Sequence, residues 1–360
     1  MKIPIIILIL LVTLTTGLYM ARPKPEPPHE TSPQLPKNSL LIRGSIPYWD
    51  QQKATQSFAE NVSNLNQVAL FWYYIDSNGK ATKYTYALEN PSILTLAHQN
   101  NIKAFFTLTN LGERAGDNWD SKRVEEVIKD NNSRAKHIED ILNIFSRLPF
   151  DGVSIDYEEV APSQRDNFSS FIKQLAASLH QRGKLLNVAI HPVTDSNSEK
   201  RYYFQDVKNL SESADYLAVM AYGEHENDSG PGPIASYPWV NKIITYLKAK
   251  NIPLQKIFLG IPLYGYDWTE GSNNPATDLT YQDTQNLLAQ FRLNLEWDEQ
   301  LKSSHFTYNN QGQVHQVWFE GSRSVEQKMK LAQDAGLGGV SFWRLGEEDP
   351  NIWAEIKQFK

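Results

Sequence analysis

Two carboxylates in the segment from Asp151 to Glu158 have the spacing of a catalytic acid pair. The segment reads Asp-Gly-Val-Ser-Ile-Asp-Tyr-Glu. Because strand side chains alternate between two faces, a strand here places Ser154, Asp156 and Glu158 together, opposite an apolar face. Two carboxylates this close cannot both ionise freely, so we expect one pKa to rise and to provide a general acid near neutral pH. An edge strand with solvated acids is the alternative, but the surrounding apolar run favours a barrel strand.

The elements that must position this pair recur along the chain as apolar, β-branched runs with helical patterns between several of them. Strands are predicted at 41–48, 68–75, 102–108, 151–158, 185–190, 216–222, 257–264 and 339–343. Apolar residues three and four apart predict helices within 134–148, 168–179, 240–247 and 325–335. This order predicts an α/β fold, a (β/α)8 TIM barrel, whose reacting groups lie at the carboxyl ends of the strands. A doubly wound open sheet is the alternative, but no Gly-rich phosphate loop supports it.

The connection after the seventh predicted strand is too long for a single helix. It contains a polar segment at 277–293 and a predicted hairpin, with strands at 304–308 and 313–319 and a turn at 309–312. We therefore predict a small α+β insertion at 266–320.

The segment 151–158 resembles the signature of glycoside hydrolase family 18, which is Asp-Gly-x-Asp-x-Asp-x-Glu on the fourth barrel strand. The resemblance covers roughly residues 41–345, and its pattern is most similar to bacterial members that lyse spore cortex and cell wall. It implies that Glu158 is the catalytic acid and that Asp156 is the middle carboxylate. Ser154 replaces the first inner acid of the pattern. Since a serine removes a like charge, we expect Asp156 to stay ionised to lower pH.

Two further strand ends match the family pattern. Met220-Ala-Tyr222 resembles the family's Met-x-Tyr-Asp, with Gly223 in place of the aspartate. The resemblance implies that Tyr222 contacts the substrate's acetamido group, and that Glu224 could supply the polar contact of the missing aspartate. Trp343 resembles the tryptophan that floors the sugar pocket, although a lone strand-end tryptophan is more often a core residue. Further substrate-binding residues are predicted at strand ends: Tyr48, Ser154, Tyr264 and Arg344. The insertion is expected to form one wall of the substrate groove.

The resemblance implies a retaining hydrolase of β-linked N-acetylglucosamine glycans, such as chitin, chitooligosaccharides or peptidoglycan. The nucleophile would be the substrate's own acetamido oxygen, an exception to the two-carboxylate rule. The alternative is a catalytically inactive, chitinase-like carbohydrate-binding protein of the cell envelope, which Ser154 and Gly223 leave open. An envelope interaction module that uses the barrel only as a scaffold is a third hypothesis.

The composition excludes several other classes. The chain has 35 basic and 41 acidic residues and a net charge of −6, which argues against a nucleic-acid partner. It has no cysteine, hence no disulfide and no cysteine metal site. The eight histidines lack metal-ligand spacing. We therefore expect no metal or other cofactor, a polysaccharide partner and a monomer.

The N-terminal segment predicts export. Residues 1–20 contain an apolar run, strongest at 3–12, that is borderline between a signal peptide and a membrane anchor through residues 3–20. Residues 21–37 contain six prolines and predict an extended linker. The barrel is expected over 38–360, either secreted or anchored and facing outward.

Overall fold

The structure is a computed structural model that describes residues 39–114 and 117–360. The predicted leader or anchor at 1–20 and the linker at 21–37 lie outside these residues. Within the described part, no helix combines the length and apolarity needed to cross a bilayer.

The described residues form two sheets. Their strands are β1 (Leu41–Pro47), β2 (Gln67–Ile75), β3 (Ala81–Lys83), β4 (Lys103–Thr109), β5 (Gly152–Asp156), β6 (Leu185–Ile190), β7 (Tyr216–Val219), β8 (Ile257–Pro262), β9 (Gly265–Thr269), β10 (Thr277–Leu279), β11 (Glu296–Asp298), β12 (Ser303–Asn310), β13 (Gln313–Phe319) and β14 (Gly339–Trp343). The first sheet runs β1-β14-β8-β7-β6-β5-β4-β2 with every neighbour parallel, and β1 also pairs with β2. This additional pairing closes the sheet, so the predicted eight-stranded barrel is confirmed. β3 is an antiparallel addition to β2.

Helices follow most barrel strands. They are α1 (Gln51–Glu60), α2 (Pro91–Gln99), α3 (Ser121–Ile128), α4 (Asn131–Arg147), α5 (Arg165–His180), α6 (Ser196–Arg201), α7 (Val207–Ser213), α8 (Tyr237–Ala249), α9 (Tyr281–Phe291), α10 (Ser322–Ala335) and α11 (Ile352–Ile356). The four predicted helical patterns fall on α4, α5, α8 and α10. The connection after the first strand, outside the four predicted patterns, forms α1.

The apolar core lies between the barrel and its helices. On β5, Val153 and Ile155 are fully buried in this core, while the alternate residues face the barrel interior. His137 of α4 contacts the hydroxyl of Tyr157 through Nε2 at 2.6 Å, just after β5. Helix packing therefore fixes the end of the strand that carries the acid pair.

The second sheet is the predicted insertion after the seventh barrel strand, and this prediction is confirmed. Its antiparallel order is β10-β9-β13-β12-β11, and it has a small core centred on Phe306, Val317 and Phe319. The β12–β13 hairpin turns at Gln311 and Gly312, whose φ angles are 54° and 88°. Positive φ at both central residues defines a two-residue hairpin turn, so β12 extends two residues further into the turn than predicted, while β13 has the predicted bounds.

Candidate active site

A cavity of about 280 Å³ opens at the carboxyl ends of the barrel strands. Five of the predicted site residues line it: Ser154, Asp156, Glu158, Tyr222 and Trp343. Sequence separation gives no hint of this grouping, because the residues come from three different strand ends. The barrel brings them together by aligning the strands in parallel.

Glu158 lies two residues beyond the end of β5, in a connection and not in the strand that its spacing predicts. Asn110, which follows β4, holds both backbone groups of Glu158. The Glu158 N–H donates to Asn110 Oδ1 at 2.8 Å, and Asn110 Nδ2 donates to the Glu158 carbonyl at 2.9 Å. The Glu158 side chain is 18% exposed, so it faces the cavity from a fixed backbone.

Asp156 ends β5 beside Glu158. Burial, and then the charge of Glu158, raise the pKa of Asp156 well above its ordinary value. Its buried Oδ1 accepts no hydrogen bond, so this oxygen gains no stabilisation of the charged form from a donor. The prediction that one carboxyl pKa rises agrees with this direction. The prediction that Asp156 stays ionised to lower pH than it would beside an aspartate at position 154 stays a prediction. Removing one like charge at Ser154 does not offset burial and the charge of Glu158.

Ser154 faces the barrel interior and is almost fully buried. Its hydroxyl accepts a hydrogen bond from Asn187 Nδ2 of β6 at 2.7 Å. Arg43 of β1 lies deeper, where its guanidinium contacts Gln67 Oε1 and the ring of Phe258. Burial lowers the pKa of Arg43 to about 9. Ser154, which stands in place of the family's first inner acid, is therefore part of a polar layer beneath the carboxylate pair.

Tyr222 lies beyond the end of β7 and enters the cavity beside the pair. Burial raises its pKa well above the ordinary value, and the charges of Asp156 and Glu158 add to this. The phenol therefore stays a hydrogen-bond donor. Gly260 leaves room for the ring, since a Cβ there would lie 2.8 Å from a Tyr222 ring carbon. Gly223 has φ of +107°, a backbone conformation that favours glycine at this bend.

Aromatic side chains form the opposite side of the cavity. Following the strand order around the barrel, β14 lies four strands from β5, so Trp343 lies across the barrel from the acid pair. Its ring packs edge-on against Phe71 and Trp49, with centroids 5.5 and 6.0 Å apart. Trp119 also lines the cavity. Such apolar faces suit the stacking of a sugar ring.

The other predicted substrate-binding residues do not line this cavity, because each is engaged elsewhere. The ring of Tyr48 stacks on Tyr84 at 4.2 Å, and its neighbour Trp49 lines the cavity in its place. Glu224 Oε2 accepts from the Ser236 N–H at 2.6 Å.

Arg344 pairs with Asp50 at 2.6 Å and with Glu347 at 3.0 Å, which ties the connections after β1 and β14 together. Tyr264 packs against Tyr266, and burial raises its pKa well above the ordinary value. None of the described lining residues comes from the insertion, so its role as a groove wall stays a prediction.

His191 contacts the predicted acid directly. It follows β6, is almost fully buried, and places Nε2 at 3.4 Å from Glu158 Oε2. Its ring stacks on Tyr202 with centroids 4.1 Å apart. In the sequence, His191 is only a histidine at the end of a predicted strand. The one feature that could have indicated its role is that this strand, β6, neighbours β5 in the barrel.

Three other contributors were missed by reasoning from sequence: Asn110, Asn187 and Arg43. Each is a polar residue within or just after an apolar strand, a pattern that does not distinguish a site residue from a satisfied core residue. In residues 39–114 and 117–360, no group of three His, Cys, Asp or Glu side chains could hold a metal ion.

A closed barrel with a paired acid, a protonated tyrosine and facing tryptophans around one cavity defines a glycoside hydrolase of the barrel class. Residues 45–348 match the family model for glycosyl hydrolases family 18, and the chain belongs to this family. The predicted family and enzyme class are therefore confirmed.

Similar proteins come from both sequence and structure. The cortical fragment-lytic enzyme of Bacillus anthracis is 27% identical over 332 residues, covering 89% of this chain and 75% of the relative. A chitinase from Chromobacterium violaceum superposes with a TM-score of 0.80 at 29% identity, covering 89% of this chain and 99% of that one. The spore cortex-lytic enzyme SleL of Bacillus cereus shares the fold, with a TM-score of 0.81 at 24% identity, over 90% of this chain and 75% of that one. The chain spans 66% and 75% of the length of the first two curated relatives.

Proposed function

We propose that this protein is a retaining glycoside hydrolase that cleaves β-linked N-acetylglucosamine glycans by substrate-assisted catalysis. The observation that carries the proposal is the cavity in which Glu158 and Asp156 face Trp343 across the barrel, with Tyr222 beside them. A sugar ring stacked on Trp343 would present its glycosidic bond to the acid pair.

Glu158 is the proposed proton donor to the glycosidic oxygen and the later base toward water. Its backbone is held by Asn110, and its carboxyl reaches the cavity while staying mostly shielded from solvent. A fixed carboxyl that loses and regains one proton fits general acid and base catalysis in a two-step reaction.

The proposed nucleophile is the substrate's acetamido oxygen. Among the described residues that line the cavity, the carboxylates are Asp156 and Glu158, and both come from the end of one strand. A carboxylate nucleophile on the opposite face of the sugar is therefore missing from this lining, which favours the substrate-assisted route. Burial and the charge of Glu158 raise the pKa of Asp156, and this carboxyl would orient the acetamido group and stabilise the positive charge that develops on it. Tyr222 would donate a hydrogen bond to the same group.

The substrate class rests on the family and on the named relatives. These include enzymes called cortical fragment-lytic and chitinase, which suggests an N-acetylglucosamine polymer for this chain. The test is to incubate the purified protein with chitooligosaccharides and with peptidoglycan, and to follow the products by proton NMR. Retention predicts that the β-anomer appears first. An initial α-anomer would exclude the retaining mechanism, and no cleavage of either polymer would exclude the proposed activity.

A second candidate is a carbohydrate-binding protein without catalysis. Ser154 and Gly223 favour it, since both depart from the family pattern at the acid-bearing positions. Measurable binding of a chitooligosaccharide, combined with no turnover over days, would support this candidate.

The sequence of residues 1–37 also supports two proposals. The first is that the protein is exported, and the second is that a proline-rich linker precedes a barrel at 38–360. Fractionation of cells that express the full chain distinguishes a membrane-anchored form from a released one. Recovery of all the protein in the cytosolic fraction would contradict export.

A further inference from the structure

His191 and Glu158 face each other because of strand register. β5 and β6 are parallel, with Ser154 opposite Asn187 and Ile155 opposite Val188. Continuing this offset beyond the strands brings position 191 opposite position 158. The register thus directs His191 to the acid, consistent with the 3.4 Å between Nε2 and Oε2.

A buried glutamine fixes the orientation and the tautomer of the His191 ring. Gln205 Nε2 donates to the Ala189 carbonyl at 3.0 Å, which turns its Oε1 toward His191. This oxygen accepts from the His191 backbone N–H at 2.8 Å and lies 3.3 Å from Nδ1. Because a carbonyl oxygen can only accept, Nδ1 must carry a hydrogen. Tyr202 covers one face of the ring.

With Nδ1 protonated, Nε2 is the atom that faces Glu158. A neutral ring offers a lone pair there and requires a protonated Glu158 as donor. A charged ring offers an N–H and requires a Glu158 carboxylate as acceptor. In both arrangements, the contact between His191 Nε2 and Glu158 Oε2 is favourable when one proton lies between the two atoms.

We propose that His191 is a positioning residue that holds Oε2 of Glu158, so that the other carboxyl oxygen points at the glycosidic bond. This inference rests on the proposed function, and it adds a residue that the family signature does not contain.

Other charges surround this pair. On the side of Glu158, the titratable groups near the ring or its neighbours are Asp156, Tyr222, Glu226, Glu159, Arg201 and Tyr202. Behind the ring, a second cavity of about 240 Å³ is lined by the titratable groups Arg165, Glu199, Tyr203, Asp206, Lys208, Tyr246 and Lys250. Arg165 pairs with Asp206 at 2.7 Å and Lys250 with Glu199 at 2.6 Å, so most of the charges behind the ring are already balanced. Glu158 remains the direct partner of Nε2.

The kinetic test compares His191→Phe, which keeps a ring against Tyr202, with His191→Gln, whose amide nitrogen reaches the place of Nε2. We expect the phenylalanine variant to lose about tenfold to hundredfold in kcat, with little change in KM. We expect the glutamine variant to recover most of kcat, because its amide can hold the same carboxyl oxygen. His98→Gln is the matched control, because His98 Nε2 contacts Asp151 at 3.0 Å at the opposite end of the same strand. Wild-type kcat and an unchanged pH profile in a folded His191→Phe variant would overturn the proposal.

A second readout does not depend on turnover. Long-range proton–nitrogen NMR spectra of the full-length protein report the tautomer and the titration of His191. We expect a hydrogen on Nδ1 and a titration midpoint that moves when Glu158 is changed to Gln. A ring with its hydrogen on Nε2 only, titrating identically in both proteins, would overturn the contact. If the wild-type protein cleaves no glycan, the proposed function fails, and these spectra still decide the His191–Glu158 contact.

Discussion

The side-chain amide of Asn110 exchanges two hydrogen bonds with the backbone of Glu158, although the residues are 48 positions apart. Asn110 is fully buried after β4, and its neighbour strand β5 ends two residues before Glu158. A backbone beyond a strand has no ladder partner, so these bonds replace the missing ladder. They fix the point from which the catalytic side chain extends.

We therefore predict that Asn110→Ala lowers kcat by about tenfold to hundredfold, because a small displacement of the acid is costly for the chemical step. Stability should also fall by about 1–3 kcal/mol, since two buried backbone groups lose their partners. Steady-state kinetics and denaturant unfolding measure the two effects. Asn100→Ala is the control, since Asn100 also bonds a backbone carbonyl but lies on the exposed end of α2. Equal kinetics in both variants would contradict the positioning role.

A second prediction concerns the stability conferred by Asp156. Its pKa is raised in the folded state, so the folded chain binds the proton more tightly than the unfolded chain. Stability is therefore lost as pH rises from the ordinary value of about 3.8 through the raised folded value. Asp156→Asn should be more stable than the parent near pH 8, and the difference should shrink toward pH 4.

Thermal unfolding of both proteins across this pH range measures the effect, and the asparagine variant should also lose most of its activity. An asparagine variant whose stability relative to the parent is lower at pH 8 than at pH 4 would show that folding lowers the pKa of Asp156, which contradicts the prediction.

Trp343→Ala should weaken binding of a chitooligosaccharide by about fivefold, which corresponds to a lost stacking contribution of about 1 kcal/mol. The reason is its position across the barrel from the acid pair, among Trp49 and Phe71. Calorimetric titration with a ligand that is not cleaved, in a Glu158→Gln background, isolates binding. Trp239→Ala, on α8 and outside the cavity lining, is the matched control. Unchanged affinity in a folded Trp343 variant would remove the stacking role.

Ser154→Asp tests the departure from the family pattern. The new carboxylate would accept from Asn187 Nδ2 where the serine hydroxyl now does, and it would add a negative charge near Asp156. Because like charges keep protons bound, the pH–rate profile should move to higher pH while activity persists. A profile that coincides with the parent's on both limbs would show that position 154 does not couple to the acid pair.

The barrel could be predicted from sequence because its signal is local and repeated. Strands such as β6 and β14 are apolar runs whose bounds coincide with the predicted ones. The fourth and sixth barrel strands, β5 and β7, end earlier than predicted. Glu158 and Tyr222 follow these strands and enter the cavity instead of pairing with a neighbouring strand. Strand propensity does not indicate where β5 and β7 end, since the residues that follow each strand are still compatible with a strand.

The site could be predicted only where a motif carried it. Glu158, Asp156, Tyr222 and Trp343 stand in short patterns at strand ends, and all four line the cavity. His191 has no such pattern, since its role depends on the register between β5 and β6. The protonation of Asp156 also depends on burial, which a count of neighbouring charges in the sequence does not measure.

The central claim is that Glu158 transfers the proton, and Glu158→Gln tests it most directly. The change removes the acidic proton and keeps the size of the side chain. We predict that the initial rate of chitooligosaccharide hydrolysis falls by about a hundredfold to ten-thousandfold, while the dissociation constant of the same oligosaccharide changes little. Glu159→Gln, at the exposed neighbouring acid, should leave both quantities unchanged. A Glu158→Gln protein that hydrolyses the substrate at the parent's rate would contradict the account.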